Sequence, residues 1–119
     1  AYLIELGEQL PPMPEAMKVK ENQVQGCMST VHVVATPHAD SAERIQYVGD
    51  CDTAIIKGVV AIMIDLYSGK TPAEIQDTDV EALFEGLKLH EHLSPNRHFG
   101  IYALVEKMKE AAAAYHPPA

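Results

Sequence analysis

The apolar positions of this chain follow two rhythms, and the change comes near residue 53. Before it, apolar residues come in short runs. Thr30–Thr36 (TVHVVAT) is rich in β-branched residues, Arg44–Gly49 (RIQYVG) alternates polar and apolar, and Asn22–Gly26 is a shorter run. Such runs predict strands. The intervening GCMS and TPHADSAE carry the residues that turns favour, so the unit reads as an antiparallel meander of three strands.

After residue 53 the spacing becomes helical. Thr53–Ser68 is apolar at Ile55, Ile56, Val59, Val60, Ile62, Met63, Ile64 and Leu66. That covers most of a helix circumference, as a central, buried helix requires. Gly69 is a natural stop, and Thr71-Pro72-Ala73-Glu74 supplies a cap, a first-turn proline and a capping-box glutamate. Thr78 and Glu81 repeat the cap spacing ahead of Leu83, Phe84 and Leu87. Ser94-Pro95 opens a long last helix with Ile101, Leu104, Val105 and Met108 on one face. At the other end AYLIELGEQL reads as the later part of a helix whose start is expected to be missing. PPMP follows as a turn or short extended stretch, then Glu15–Lys18 as one helical turn. The predicted architecture is α+β, a small three-stranded antiparallel sheet with helices packed on one face.

The 119 residues suit a single domain that can bury a core without metal or disulfide staples. Apolar residues at 47% and charged residues at 22% are ordinary for a globular protein and exclude a disordered one. AIIKGVVAIMIDLY is interrupted by Lys57 and Asp65 and falls short of the roughly 18 apolar residues of a membrane span. The formal charge of −8 repels phosphate backbones, so nucleic acid is not an expected partner; it would suit a protein with a basic patch, though many soluble proteins are equally acidic. Two cysteines and no secretory signal point to a reducing, cytoplasmic compartment.

Cys27 stands in ENQVQGCMSTV, between Gly26, which permits unusual backbone geometry, and Met28-Ser29, whose serine can hydrogen-bond a turn. A hairpin-tip thiol is accessible yet positioned, as a nucleophile must be. Read locally, the plainer alternative is a small buried apolar residue, since free cysteine is among the most buried residue types. Cys51, in VGDCDTAIIKG, falls where the third strand gives way to the central helix. The helix N-terminus favours a thiolate there, Asp50 and Asp52 oppose it, and an inert cap thiol is the plain alternative. The six histidines include no CxxC, HExxH or Cys/His quartet, so no metal site is expected. His32 has no orienting partner that would make a hydrolase with Cys27. YSGKTP lacks the first glycine of a phosphate loop and follows a helix. Arg97 lies in the first turn of the last helix, where a cation opposes the helix dipole and calls for a reason; pairing with a nearby carboxylate such as Glu91 is the plain one.

Four blocks in order, YLIELGEQLPPMPE, ENQVQGCMSTVHVVA, GDCDTAIIKGVVAIMIDLYSGKTPAEI and HLSPNRHFGIYALVEKMK, together resemble the SufE/CsdE family of cysteine-desulfurase partners. The resemblance implies an IscU-like fold and a sulfur-accepting protein with no bound cofactor. The pyridoxal phosphate belongs to the partner, a SufS/CsdA-like cysteine desulfurase, whose persulfide sulfur passes to Cys27, the residue matching the family's acceptor. From there it goes to an iron–sulfur scaffold such as SufBCD. A tip that tucks its thiol away and swings out to the desulfurase would protect the cargo. Asp52 and Arg97 match positions around the family's docking surface, and the expected state is a monomer or weak homodimer. Three positions depart from the family: Met28 where glutamine is common, His32 where tryptophan is common, and Cys51 in place of the usual serine. Cys51, if it reached Cys27, would resolve a persulfide as a disulfide. The alternative class is an IscU-like metal- or cluster-binding scaffold, which supplies three cysteines where this chain has two.

Overall fold

The structure is a computed structural model, and it describes residues 2–25, 30–79, 82 and 95–118. The alternating runs form two strands, β1 (Val31–Pro37) and β2 (Ile45–Cys51), paired antiparallel with Val31 opposite Cys51 and Pro37 opposite Ile45. Because successive strand side chains point to opposite faces, Val31, Val33, Ile45, Tyr47 and Cys51 are buried on one face of the sheet. On that face lie helices α2 (Ala54–Tyr67) and α4 (Pro95–Ala114). Helix α1 (Tyr2–Glu8) packs against α2, and the short α3 (Pro72–Gln76) against α4.

The expected third strand, Asn22–Gly26, is a correction. Among the described residues the sheet has two strands, and what remains of the third is one antiparallel bridge, Gln23 to His32, with the Val24 amide donating to the Val31 carbonyl at 2.8 Å. The cause is local. Lys20–Asn22 winds into a 3-10 turn and the Asn22 side-chain amide donates to the Met17 carbonyl at 2.8 Å. A side chain that satisfies nearby backbone in this way competes with ladder formation. The meander order survives, with this stretch beside β1 and β2 on β1's other side.

The helices follow their pattern. In α2, Ile56, Val59, Val60, Met63, Ile64 and Tyr67 are buried. At its end Gly69 takes φ +83°, a left-handed conformation that glycine adopts without a Cβ penalty. This turn returns the chain to β2, where the Gly69 amide donates to Ile45 and the Ile45 amide to Lys70. The capping box of α3 is complete: the Glu74 amide donates to Thr71 Oγ1 at 3.3 Å, and the Thr71 amide to Glu74 Oε1 at 2.9 Å. Glu15–Met17 makes the expected single turn, as a 3-10 helix. In α4, Ile101, Leu104, Val105 and Met108 are buried together. Tyr47 ties β2 to α4 by donating its hydroxyl to the Met108 carbonyl at 2.6 Å. Burial first, and Tyr67 second, push the Tyr47 phenol well above its usual range. Most of the predicted helical turn at Thr78–Leu87 lies outside the described residues. Among those described, no helix is long and apolar enough to cross a membrane.

Candidate functional site

The site lies at the end of the sheet where β1 begins, β2 ends and α2 starts. Val31 and Cys51 form the last pair of the ladder and face the core, at 1% and 8% exposure. His32 and Asp50 form the next pair, so they share the opposite face. The sheet thus sorts the candidates. Cys51 is held inside, where its Sγ accepts from the Thr53 amide at 3.4 Å and its thiol donates to Asp52 Oδ1 at 4.0 Å. His32 is half-buried on the opposite face, and its backbone forms the bridge to Gln23 along the other edge of β1.

Asp52 is exposed and joins three elements. Its Oδ1 accepts from the Thr30 amide at 3.1 Å and from Thr53 Oγ1 at 3.2 Å, while its own amide donates to the Thr30 carbonyl at 3.2 Å. Thr30 is therefore gripped through both backbone groups at the foot of the segment that carries Cys27. On the other leg the Val24 amide is paired with Val31. Removing one hydrogen-bond partner at such a position costs about 1 kcal/mol. Asp52→Ala is expected to lose about that much stability and to speed exchange of the Thr30 amide, with Asp52→Asn affected less because it keeps an acceptor. Unchanged Thr30 exchange in Asp52→Ala, read by NMR, would contradict this anchoring.

Asp50 anchors the outer side. Its Oδ1 accepts from the Cys51 amide at 2.8 Å and meets Lys57 Nζ at 3.3 Å, and its Oδ2 meets Lys18 Nζ at 3.1 Å. The lysine that breaks the apolar run of α2 thus has a carboxylate to pair with, and Lys18 ties the lead-in stretch to the end of β2. Burial alone would raise the Asp50 carboxyl, but bonds from Lys18, the Cys51 amide and Lys57 hold it below its ordinary 3.8. A carboxyl depressed on folding stabilises the fold fully above its unfolded pKa, and that contribution disappears as pH falls through the lower folded value. The stability difference between wild type and Asp50→Asn is therefore expected to stay constant through neutral pH, shrink below about pH 4 and vanish in stronger acid. Denaturant titrations at stepped pH would show it, and a difference that grows on acidification would contradict it.

Several sequence-predicted residues fall elsewhere. Gly26, Cys27, Met28 and Ser29 lie outside the described residues, and with them the expected hairpin tip and any approach of Cys51 to Cys27. Arg97 is in the first turn of α4 as expected, and its side chain lies outside the description, as does the Glu91 proposed to pair with it. Among the described residues no group of three or more His, Cys, Asp or Glu is placed to hold a metal ion. Sequence reasoning missed Thr30, and missed Asp50 as a charge anchor. A lone lysine inside an apolar helix signals a partner nearby, and Lys57 carried that signal. Thr30, 22 residues from Asp52, carried none.

The arrangement is that of a small α+β protein whose hydrogen bonds and ion pairs gather where β1 begins, β2 ends and the central helix starts. The family model of the SufE, Fe-S metabolism associated domain matches residues 1–112, so the chain belongs to the SufE family. Its fold is similar to the solution structure of a hypothetical protein from Thermus thermophilus. The TM-score is 0.75 at 18% identity, over 94% of this chain and 79% of that one. At that identity the likeness concerns the fold. Membership of the family associates this chain with iron–sulfur metabolism.

Proposed function

We propose that this protein is a sulfur acceptor and carrier that takes sulfane sulfur onto Cys27 from a pyridoxal-phosphate-dependent, SufS/CsdA-like cysteine desulfurase. It stimulates that enzyme and passes the sulfur on for iron–sulfur cluster assembly, to a scaffold such as SufBCD. The observation that carries the reading is the family match spanning the Cys27 segment, in a chain whose other cysteine, Cys51, is buried in the core. In the transfer the Cys27 thiolate attacks the outer sulfur of the desulfurase persulfide. A new S–S bond forms at Cys27, the old one breaks, the desulfurase cysteine leaves as thiolate, and the proton stays on the terminal sulfur. No net oxidation or reduction occurs, so the carrier needs no cofactor of its own; the pyridoxal phosphate stays on the partner.

A firmly held base with a short cysteine-bearing segment suits such a relay. Thr30, three residues after Cys27, is bonded to Asp52 on one side of the segment, and Val24 to Val31 on the other. The net charge of −8 suits a docking face of opposite sign. Arg97 and Asp52 are docking residues in this reading, Met28 and His32 neighbours of the thiol, and the protein works in the cytoplasm as a monomer or weak homodimer. It is an accessory sulfurtransferase rather than an enzyme that turns over alone. The test is desulfurase turnover with cysteine: wild type stimulates it and Cys27→Ser does not. A Cys27→Ser protein that stimulates the desulfurase and delivers sulfur as wild type does would overturn the reading.

A further inference from the structure

The segment bearing Cys27 has two legs, and the first is tied across the molecule. Lys107, on α4, donates its ammonium to the backbone carbonyl of Glu21 at 2.6 Å, spanning 86 residues of sequence. Glu21 lies in the 3-10 turn that hands the chain to Gln23 and Val24, whose pairing with His32 and Val31 sets the register of the leg leading to residue 26. The other ties of this lead-in, Lys18 to Asp50 and Asn22 to Met17, reach the sheet end and the lead-in itself; the Lys107 bond couples it to α4. The same helix carries Arg97 in its first turn, ten residues earlier and so about 15 Å along the axis.

We propose that Lys107 is a positioning residue for the sulfur-transfer reaction: by holding the Glu21 carbonyl it fixes the leg of the Cys27 segment to the helix that carries Arg97. This rests on the sulfur-carrier reading above. A cationic donor makes a stronger hydrogen bond than a neutral one, but ordering a long lysine stem offsets much of the gain. The consequence is local: global stability changes little, while the placement of the leg depends on the bond.

The test is single-turnover persulfide loading of Cys27 by a desulfurase with cysteine, read by mass at varied carrier concentration. Lys107→Ala and Lys107→Met, which keeps most of the stem, are expected to lower the maximal loading rate about three- to tenfold, the scale of one exposed hydrogen bond's net contribution. The half-saturating carrier concentration should change less than about twofold, since placement and not affinity is lost. Lys107→Arg should restore most of the rate. Lys109→Ala removes the same charge from the same helix, where Lys109 donates to the Thr78 carbonyl, and should leave loading unchanged. Wild-type rates in both Lys107→Ala and Lys107→Met, an equal loss in Lys109→Ala, no rescue by Lys107→Arg or a change confined to half-saturation would each overturn the proposal. Failure of the carrier reading itself would look different, because wild type would then carry no sulfur on Cys27.

Discussion

Gly58→Ala is expected to lower the melting temperature by roughly 10 °C. Helices α1 and α2 cross with their backbones in contact, and Gly58 is where they meet. A Cβ built on it would run into the carbonyl oxygen, carbonyl carbon and Cα of Leu3. Gly7 faces it, and a Cβ there would lie 2.9 Å from the Gly58 nitrogen and 3.1 Å from the Lys57 carbonyl carbon. The obstacle in both cases is main chain, which no rotamer change can move aside. Alanine in a helix interior gains about 1 kcal/mol over glycine in propensity, so in open surroundings the substitution would stabilise. Here α1 must slide away from α2, uncovering Leu3 and Leu10, which pack against the core. Overpacking of this kind costs typically about 1–3 kcal/mol and occasionally more; with backbone as the obstacle we expect a net loss of about 2–3 kcal/mol. A calorimetric scan settles the sign, and an unchanged or raised melting point would mean that the two helices do not approach so closely.

Cys27→Ser is expected to abolish sulfur loading altogether, whereas Cys51→Ala should leave it near wild type. The asymmetry follows from chemistry and from placement. A serine hydroxyl has no sulfur to form the new S–S bond, so no residual rate survives through the same route. Cys51 sits at 8% exposure under the first turn of α2, with its sulfur accepting from the Thr53 amide. Its replacement removes a small buried group and one weak hydrogen bond. The cost belongs to stability, about 1 kcal/mol, and not to transfer. Loading that survives Cys27→Ser and disappears with Cys51→Ala would reverse the assignment of the two thiols.

What could be read from the sequence was what short-range patterns encode. The continuous apolar circumference of Thr53–Ser68 identified the central helix, the Thr71/Glu74 spacing the complete capping box of α3, and the Ile101/Leu104/Val105/Met108 stripe the buried face of α4. The third strand was misread because the run at Asn22–Gly26 looks extended, while the deciding contact is a side-chain bond from Asn22 back to Met17. The site was legible only in outline. Resemblance singled out Cys27, Cys51, Asp52 and Arg97, but the links from Thr30 to Asp52 and from Lys107 to Glu21 join residues 22 and 86 apart. No local periodicity records such pairs. The Gly7–Gly58 crossing is hidden for the same reason: an isolated helical glycine reads as a weakness until the helix against it is known.

The central claim is that Cys27 is the sulfur acceptor, and peptide mapping by mass spectrometry after reaction with a cysteine desulfurase and cysteine tests it most directly. The predicted result is the added mass of one sulfur on the peptide containing Cys27, removed by a thiol reductant and absent when the desulfurase is left out. Sulfur found on Cys51 alone, or on neither cysteine while the desulfurase turns over, would contradict it.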